Sequence, residues 1–188
     1  MAIYGIEGGI GSGKTITLVK WSMTALKKGR SVITNIKLKN LTPSQEKKVR
    51  YIDKDFVINM FDNVKKGRVN LKNTTIYLQE IHNYMDSRTS ISKKNRMLSY
   101  WILQSRHTGK GTCDICYDTQ DFGQIDLRLR NQTDFFVRPK IYRDDVGTPF
   151  LVTYTITAKI GQKWRRFSAS YDPRLVFEYY DTHEIVDF

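Results

Sequence analysis

The sequence predicts an α/β fold: a mainly parallel sheet wrapped by helices and extended on its C-terminal side by antiparallel hairpins. Three observations carry that expectation. A β-prone stretch at residues 3–7 runs into a glycine-rich turn and then into apolar residues at helical spacing. Short apolar strands recur at 31–34, 74–78 and 112–119, separated by polar segments with helical patches. From residue 133 onward the chain is rich in Val, Thr, Tyr and Phe, broken by turns at Asp144-Asp145-Val146-Gly147 and Ile160-Gly161-Gln162.

Taken in order, residues 3–7 read as the first strand. Residues 15–28 carry Leu18, Val19, Met23, Ala25 and Leu26 at helical spacing and stop at Gly29, a C-cap. A strand at 31–34 closes a βαβ unit of about thirty residues. Residues 36–70 are polar, with helical patches at 43–50 and 53–66. The apolar strand 74–78 is bounded by Asn73 and Glu80. A Ser-rich loop (83–92), a helix (93–106), the strand 112–119 and a short helix (121–131) with Phe122, Ile125, Leu127 and Leu129 follow. Hairpin strands are expected at 134–142, 150–160 and 163–168. A length of 188 residues suits one domain, with a core at about 2–132 and a β extension at about 133–188.

Composition narrows the classes. No apolar stretch approaches the 18 or so residues that span a membrane. The N-terminus has no basic n-region or cleavage site, so a chain made and used in a cytoplasm is expected. Cys113 and Cys116 are too few for a disulfide framework or a zinc site and read as small buried residues on a core strand. The charge says more: 31 Lys and Arg against 19 Asp and Glu give +12, which favours a polyanionic partner, either nucleic acid or an anionic membrane surface.

Gly8-Gly9-Ile10-Gly11-Ser12-Gly13-Lys14-Thr15 fits the G-x-x-x-x-G-K-[ST] phosphate-binding loop, with a strand before it and an amphipathic helix after it. Its glycines let successive N–H groups point at phosphates, and the start of the helix, through Ile16, adds its positive dipole end. Lys14 is expected on the β- and γ-phosphates and the Thr15 hydroxyl on Mg²⁺. The strand 75–78 ends in Gln79-Glu80, where Glu80 can orient or deprotonate a water. Gln79 stands where a Mg²⁺-associated Asp is usual. Its amide oxygen can accept from a metal-bound water but adds no charge. The next strand ends in Asp118-Thr119-Gln120. Gln120, neutral and both donor and acceptor, is the candidate γ-phosphate sensor, and Asp118 and Thr119 are equally strand-end caps.

These residues together resemble the FtsK–HerA branch of additional-strand, RecA-like P-loop ATPases, and more narrowly the Zot-like and genome-packaging viral ATPases. The resemblance rests on the P-loop, Gly29-Arg30-Ser31-Val32-Ile33-Thr34-Asn35, Glu80 followed by Asp86-Ser87-Arg88, Arg106-His107-Thr108-Gly109, and Asp114-Ile115 leading to Thr119-Gln120. It covers residues 2–132. It implies ATP and Mg²⁺ as cofactors and a ring, commonly hexameric, in which a neighbour's arginine (Arg88 or Arg106, with Arg128 weaker) reaches the γ-phosphate. By position, Lys14, Thr15, Glu80 and Gln120 take the P-loop, metal, catalytic and sensor roles, with Gln79 and Glu80 on the metal through water. The implied partners are double-stranded DNA bound without sequence reading, and capsid or portal-vertex proteins, in host cytoplasm or virion. Zot proteins of filamentous phages also carry a membrane-spanning segment and a further domain. Their lack here points to packaging over extrusion.

Two other readings stay open: a nucleoside or nucleotide kinase, and a non-hydrolysing nucleotide-gated module that binds DNA or membrane. If DNA is the partner, the expected contacts are phosphate contacts from 36–70, from 83–96, or from the Trp164-Arg165-Arg166 hairpin.

Overall fold

Strand β1 (Ile3–Glu7) sits in the interior of a sheet that, among the described residues, has eight strands in the order β3 (Val49–Tyr51), β2 (Ser31–Thr34), β4 (Thr74–Leu78), β5 (Asp114–Thr119), β1, β6 (Phe135–Arg143), β7 (Pro149–Ile160) and β8 (Lys163–Tyr171). The computed structural model describes residues 2–53, 70–83, 113–161 and 163–181, with single positions at 59, 63 and 66. Helix α1 (Lys14–Lys27) returns the chain from β1 to β2 (Ser31–Thr34). It ends as its sequence predicts: Gly29 has φ +77°, and its N–H and that of Arg30 cap the carbonyls of Leu26 and Ala25. Strand β4 (Thr74–Leu78) pairs with β2, and β5 (Asp114–Thr119) lies between β4 and β1, all parallel. The strand inserted between the P-loop strand and the Gln79-Glu80 strand is the additional strand that the resemblance implies.

Two apolar layers hold the sheet. On one face α1 buries Ile16, Leu18, Val19, Met23 and Leu26 against Ile6, Val32, Cys116 and Val152. On the other, Ile3, Ile76, Leu78, Ile115 and Tyr117 pack with Phe122 and Leu129 from a 3-10 turn (Phe122–Gln124) and helix α3 (Leu127–Gln132). Arg30, where β2 begins, joins three strands: its guanidinium lies 2.6 Å from the Asp114 carboxylate and donates to the Thr74 carbonyl, while Asp114 also accepts from the Ala2 N–H. Both cysteines are free and buried, as the sequence suggests, and burial pushes the Cys113 thiol up to about 12.

The structure departs from expectation in a few places. The 43–50 patch is helical only over Pro43–Glu46 (α2), capped by Thr42 and Gln45 in a capping box, and then turns into a short strand β3 (Val49–Tyr51) parallel to β2. A three-residue strand with two exposed side chains carries too little apolar pattern to announce itself. The expected 121–131 helix is broken into the 3-10 turn and α3. The helix expected at 93–106 lies outside the described residues, as do most of 53–66 and all of the 83–92 loop but Asn83. Strands β6 (Phe135–Arg143), β7 (Pro149–Ile160) and β8 (Lys163–Tyr171) form the antiparallel extension, with β6 itself parallel to β1. A 3-10 segment, Pro173–Tyr179, then packs Val176 into the α1 layer. No helix among the described residues is long and apolar enough to cross a membrane.

Gly5, in the middle of β1, is where strand and overlying rings approach most closely. A Cβ there would lie 2.7 Å from Phe122 Cε1 and 2.8 Å from the Tyr117 hydroxyl. Both rings belong to the packed layer beneath the P-loop strand, so Gly5→Ala is expected to cost about 1–3 kcal/mol through overpacking. Denaturant unfolding of the two proteins measures it.

Candidate nucleotide site

The P-loop leaves β1 at Gly8, whose N–H bonds the Thr119 carbonyl of the neighbouring strand. Gly11 at φ +73° and Gly13 at φ +98° turn the backbone through the left-handed region that side chains avoid. A Cβ on Gly8 would collide with the Ser12 side chain, whereas beside Gly9 and Gly11 there is open space. The loop therefore curls around a cradle of main-chain groups in front of α1. Lys14 is buried at the mouth of that cradle, with Nζ donating to the Gly8 and Gly9 carbonyls at 2.8 and 3.2 Å. Ser12 Oγ is buried with no hydrogen-bond partner among the described residues. A curled backbone, an inward ammonium and an orphan hydroxyl fit a triphosphate.

Thr15 and Gln79 meet: the Gln79 amide donates to Thr15 Oγ1 at 3.1 Å. Turning that amide over presents Oε1 instead, the atom that can accept from a metal-bound water. Gln79 is fixed by its main chain, because Asn35 at the end of β2 accepts from its N–H (2.8 Å) and donates to its carbonyl (2.9 Å). The pairing explains why the Gly29 to Asn35 motif ends in Asn.

Glu80 follows at φ +53°, a conformation costing roughly 1–2 kcal/mol for a residue with a Cβ. Its N–H is held by Asp118 Oδ1 from the end of β5. A hydrogen bond to a carboxylate contributes about 1.5–3 kcal/mol, enough to hold the turn. The Glu80 carboxylate itself faces the His82 Nε2 at 3.2 Å. Asp118 is fully buried and its Oδ2 has no hydrogen-bond partner among the described residues. Burial pushes its carboxyl up to about 7; the Glu80 N–H and the Lys14 charge pull it down and the Glu80 charge raises it. Lys14, Glu80 and Asp118 thus share one electrostatic site.

Of the other residues expected from sequence, Gln120 is exposed just past the end of β5, and Arg128 is exposed on α3. Arg88 and Arg106 lie outside the described residues. Sequence reasoning missed Asn35 as a clamp, His82 altogether, and Asp118 as anything more than a cap.

The hairpin region completes the site. A cavity of about 510 Å³ opens in front of the P-loop, lined by Ile10 to Ile16, Asn35 to Lys37, Ile52, Asp53 and Gln79 on one side and Ile141, Arg143, Tyr180 and Asp181 on the other. A nucleotide fits such a volume. A Cβ on Gly13 would sit 3.6 Å from Ile141 and 3.7 Å from Val152, so β6 and β7 pack directly on the loop. The Thr17 hydroxyl of α1 donates to the Gly13 carbonyl and lies 3.2 Å from the Tyr171 hydroxyl of β8. Burial raises the Tyr180 hydroxyl to about 12 while Arg143 beside it pulls the other way.

The family model described as zonular occludens toxin (Zot) matches residues 2–183, well beyond the 2–132 of the motifs. The Gene 1 protein of Salmonella phage IKe is 28% identical over 141 residues, 70% of this chain but 38% of that protein, so the chain spans about two fifths of the curated relative. Among solved structures, the N-terminal domain of zonular occludens toxin from Neisseria meningitidis superposes with a TM-score of 0.64 at 23% identity, over 96% of this chain and 98% of that one. The genome packaging NTPase B204 of Sulfolobus turreted icosahedral virus 2, in complex with ATP-gammaS, gives 0.57 at 13% identity over 88% and 95%. At these identities the two structures share the P-loop NTPase fold.

Asp118 yields a pH test. Its folded value near 7 exceeds an ordinary carboxylate value of about 4. The folded state therefore binds the extra proton, and this group's contribution to stability is full below about pH 4 and lost as pH rises through about 7. Asp118→Asn keeps an acceptor for the Glu80 N–H and removes the titration. Its Tm is expected to gain on the parent steadily from pH 4 to pH 8; parallel Tm curves would refute a buried, titrating Asp118.

Proposed function

This chain belongs to the zonular occludens toxin family, with phage and viral relatives on a P-loop NTPase fold, and from that premise we propose that it hydrolyses ATP to move DNA during virion assembly. The observation that carries the reading is the set formed by the Lys14 cradle, Thr15 against Gln79, and Glu80 beside buried Asp118. Lys14 leaves the Gly8 and Gly9 carbonyls for the phosphates, and the P-loop N–H groups hold the remaining phosphate oxygens. Mg²⁺ would be held by Thr15 Oγ1, with Gln79 reaching its water shell; bound there it neutralises phosphate charge. Glu80 takes the proton of the attacking water once its carboxylate turns from His82. Ile141, Arg143 and Tyr180 form the wall against which the nucleoside end rests.

The Zot-like arm, DNA export through virion assembly, is favoured over genome packaging. The family model runs through the hairpins to residue 183, whereas likeness to the packaging NTPase is one of fold at 13% identity. Because the chain spans 38% of its phage relative, the lack of a membrane segment within it does not weigh for packaging.

ATP turnover with and without DNA tests the proposal. Lys14→Ala is expected to abolish turnover and weaken ATP binding in a folded protein. Glu80→Gln is expected to keep ATP binding and lose about 10²–10⁴ in rate. A Glu80→Gln protein at parental rate would remove Glu80 from the mechanism, and turnover indifferent to DNA would remove DNA movement.

A ring with a trans arginine, drawn from Arg88, Arg106 or Arg128, completes the proposal. Rate per subunit should then climb steeply with protein concentration, and a Glu80 variant mixed with an arginine variant should regain partial activity. Constant specific activity across a wide dilution series would mean that each subunit works alone.

A further inference from the structure

The three antiparallel strands carry a surface that the nucleotide site does not use. Cross-strand register puts Phe136, Thr157 and Arg166 on one face, with Arg138, Thr155 and Ser168 in the next row, Lys140, Thr153 and Ser170 in the third, and Lys159 opposite Trp164. The reverse face packs Val137, Val152, Tyr154 and Tyr171 against α1 and its layer. Every side chain of β8 from Lys163 to Ser170 is exposed, with Trp164, Arg166, Ser168 and Ser170 on this face, and Trp164 is 60% exposed, its ring centroid 6.1 Å from that of Phe136.

The charge of these strands has one sign. Strands β6, β7 and β8 hold seven Lys and Arg and no Asp or Glu, and the register puts four of the seven, Arg138, Lys140, Lys159 and Arg166, on this face. Arg138 is engaged by Glu7 at 2.7 Å and Lys140 lies over the Tyr142 ring, but Lys159 and Arg166 flank Trp164 and Thr157 at the sheet edge. Edge strands often carry lysine to block pairing with another chain. That device accounts for a charge or two of either sign; it does not call for four of one sign on one face, nor for a tryptophan left in water beside them.

Resting on the reading that this chain handles DNA, we propose that this face binds single-stranded nucleic acid, with its phosphates on Lys140, Lys159 and Arg166 and an unpaired base on Trp164. Charge complementarity selects a polyanion. The row of Thr153, Thr155, Thr157, Ser168 and Ser170 supplies hydroxyls that donate to phosphate oxygens. The exposed ring selects a single strand over a duplex, because a duplex keeps its base faces stacked inside, whereas an unpaired base stacks on an aromatic platform. Among the described residues this surface is built of strand side chains, with no helix in it to enter a groove.

Anisotropy of a labelled oligothymidine with the full chain tests this, beside a duplex of equal length and vesicles of phosphatidylcholine with phosphatidylglycerol. Trp164→Ala is expected to weaken oligothymidine binding about tenfold. Lys159→Gln with Arg166→Gln should do at least the same and flatten the salt slope by about 1.4, at ~0.7 per lost single-strand phosphate contact. Lys27→Gln, at the exposed end of α1 on the opposite side of the sheet, should leave binding unchanged, and ATPase activity without DNA should be parental in all three. Parental affinity in the Trp164 and Lys159/Arg166 proteins overturns the platform, as does tighter binding of the duplex, or binding to vesicles but not to oligothymidine. The two proposals separate in this experiment. Oligothymidine binding through this face without ATP turnover sinks the motor alone; DNA-stimulated turnover with parental binding in the face variants sinks the platform alone.

Discussion

The top edge of the sheet depends on side chains that bind the main chain of neighbouring strand ends. Asn35 brackets Gln79 from β2, Asp118 holds Glu80 from β5, and Gly8 leans on the Thr119 carbonyl. Without them the Gln79-Glu80 corner, left-handed at Glu80, has no reason to stand beside Thr15. The hold is costly as well as stabilising: Asp118 is taken out of water with one oxygen unpartnered among the described residues. A residue chosen for stability alone would be apolar there. Local destabilisation concentrated where polar groups converge on a ligand site is a common bargain in enzymes.

The C-terminal strands change what the site is. A core of P-loop, α1 and parallel strands binds phosphate through its loop, but a cavity with two walls exists only once β6, β7 and the segment to Asp181 are in place. The Thr17–Tyr171 contact then links the helix under the phosphates to the outermost strand.

Much of this was legible in the sequence. Strands β1, β2, β4 and β5 and helix α1 fall within about two residues of their expected bounds, because apolar periodicity and the glycine motif act over short spans. The hairpin strands were legible for the same reason. What escaped was either short or long-range. Strand β3 is three residues with a polar outer face. The clamp roles of Asn35 and Asp118 arise from pairing across 44 and 38 positions, which no local pattern encodes. Gln120 was preferred over Asp118 on chemical grounds, neutral and two-way in hydrogen bonding. Chain position sets the two apart: residue 118 is still inside the strand and buried, and residue 120 is past its end and exposed.

Strand β6 serves two surfaces through its pleat. Ile141 turns toward the nucleotide cavity and Lys140, one residue earlier, toward the opposite face. Since side chains alternate with a period of two, inserting or deleting one residue upstream in this strand would exchange the two sets wholesale. Drift in length is thus disfavoured upstream of Ile141 and is more readily absorbed beyond it, where the β6–β7 register already shifts between Tyr142 and Arg143, Val146 stands 86% exposed and Gly147 accepts φ +85°. Across relatives, this strand should be constant in length and that turn variable, a mark of shared ancestry readable even where identity has faded.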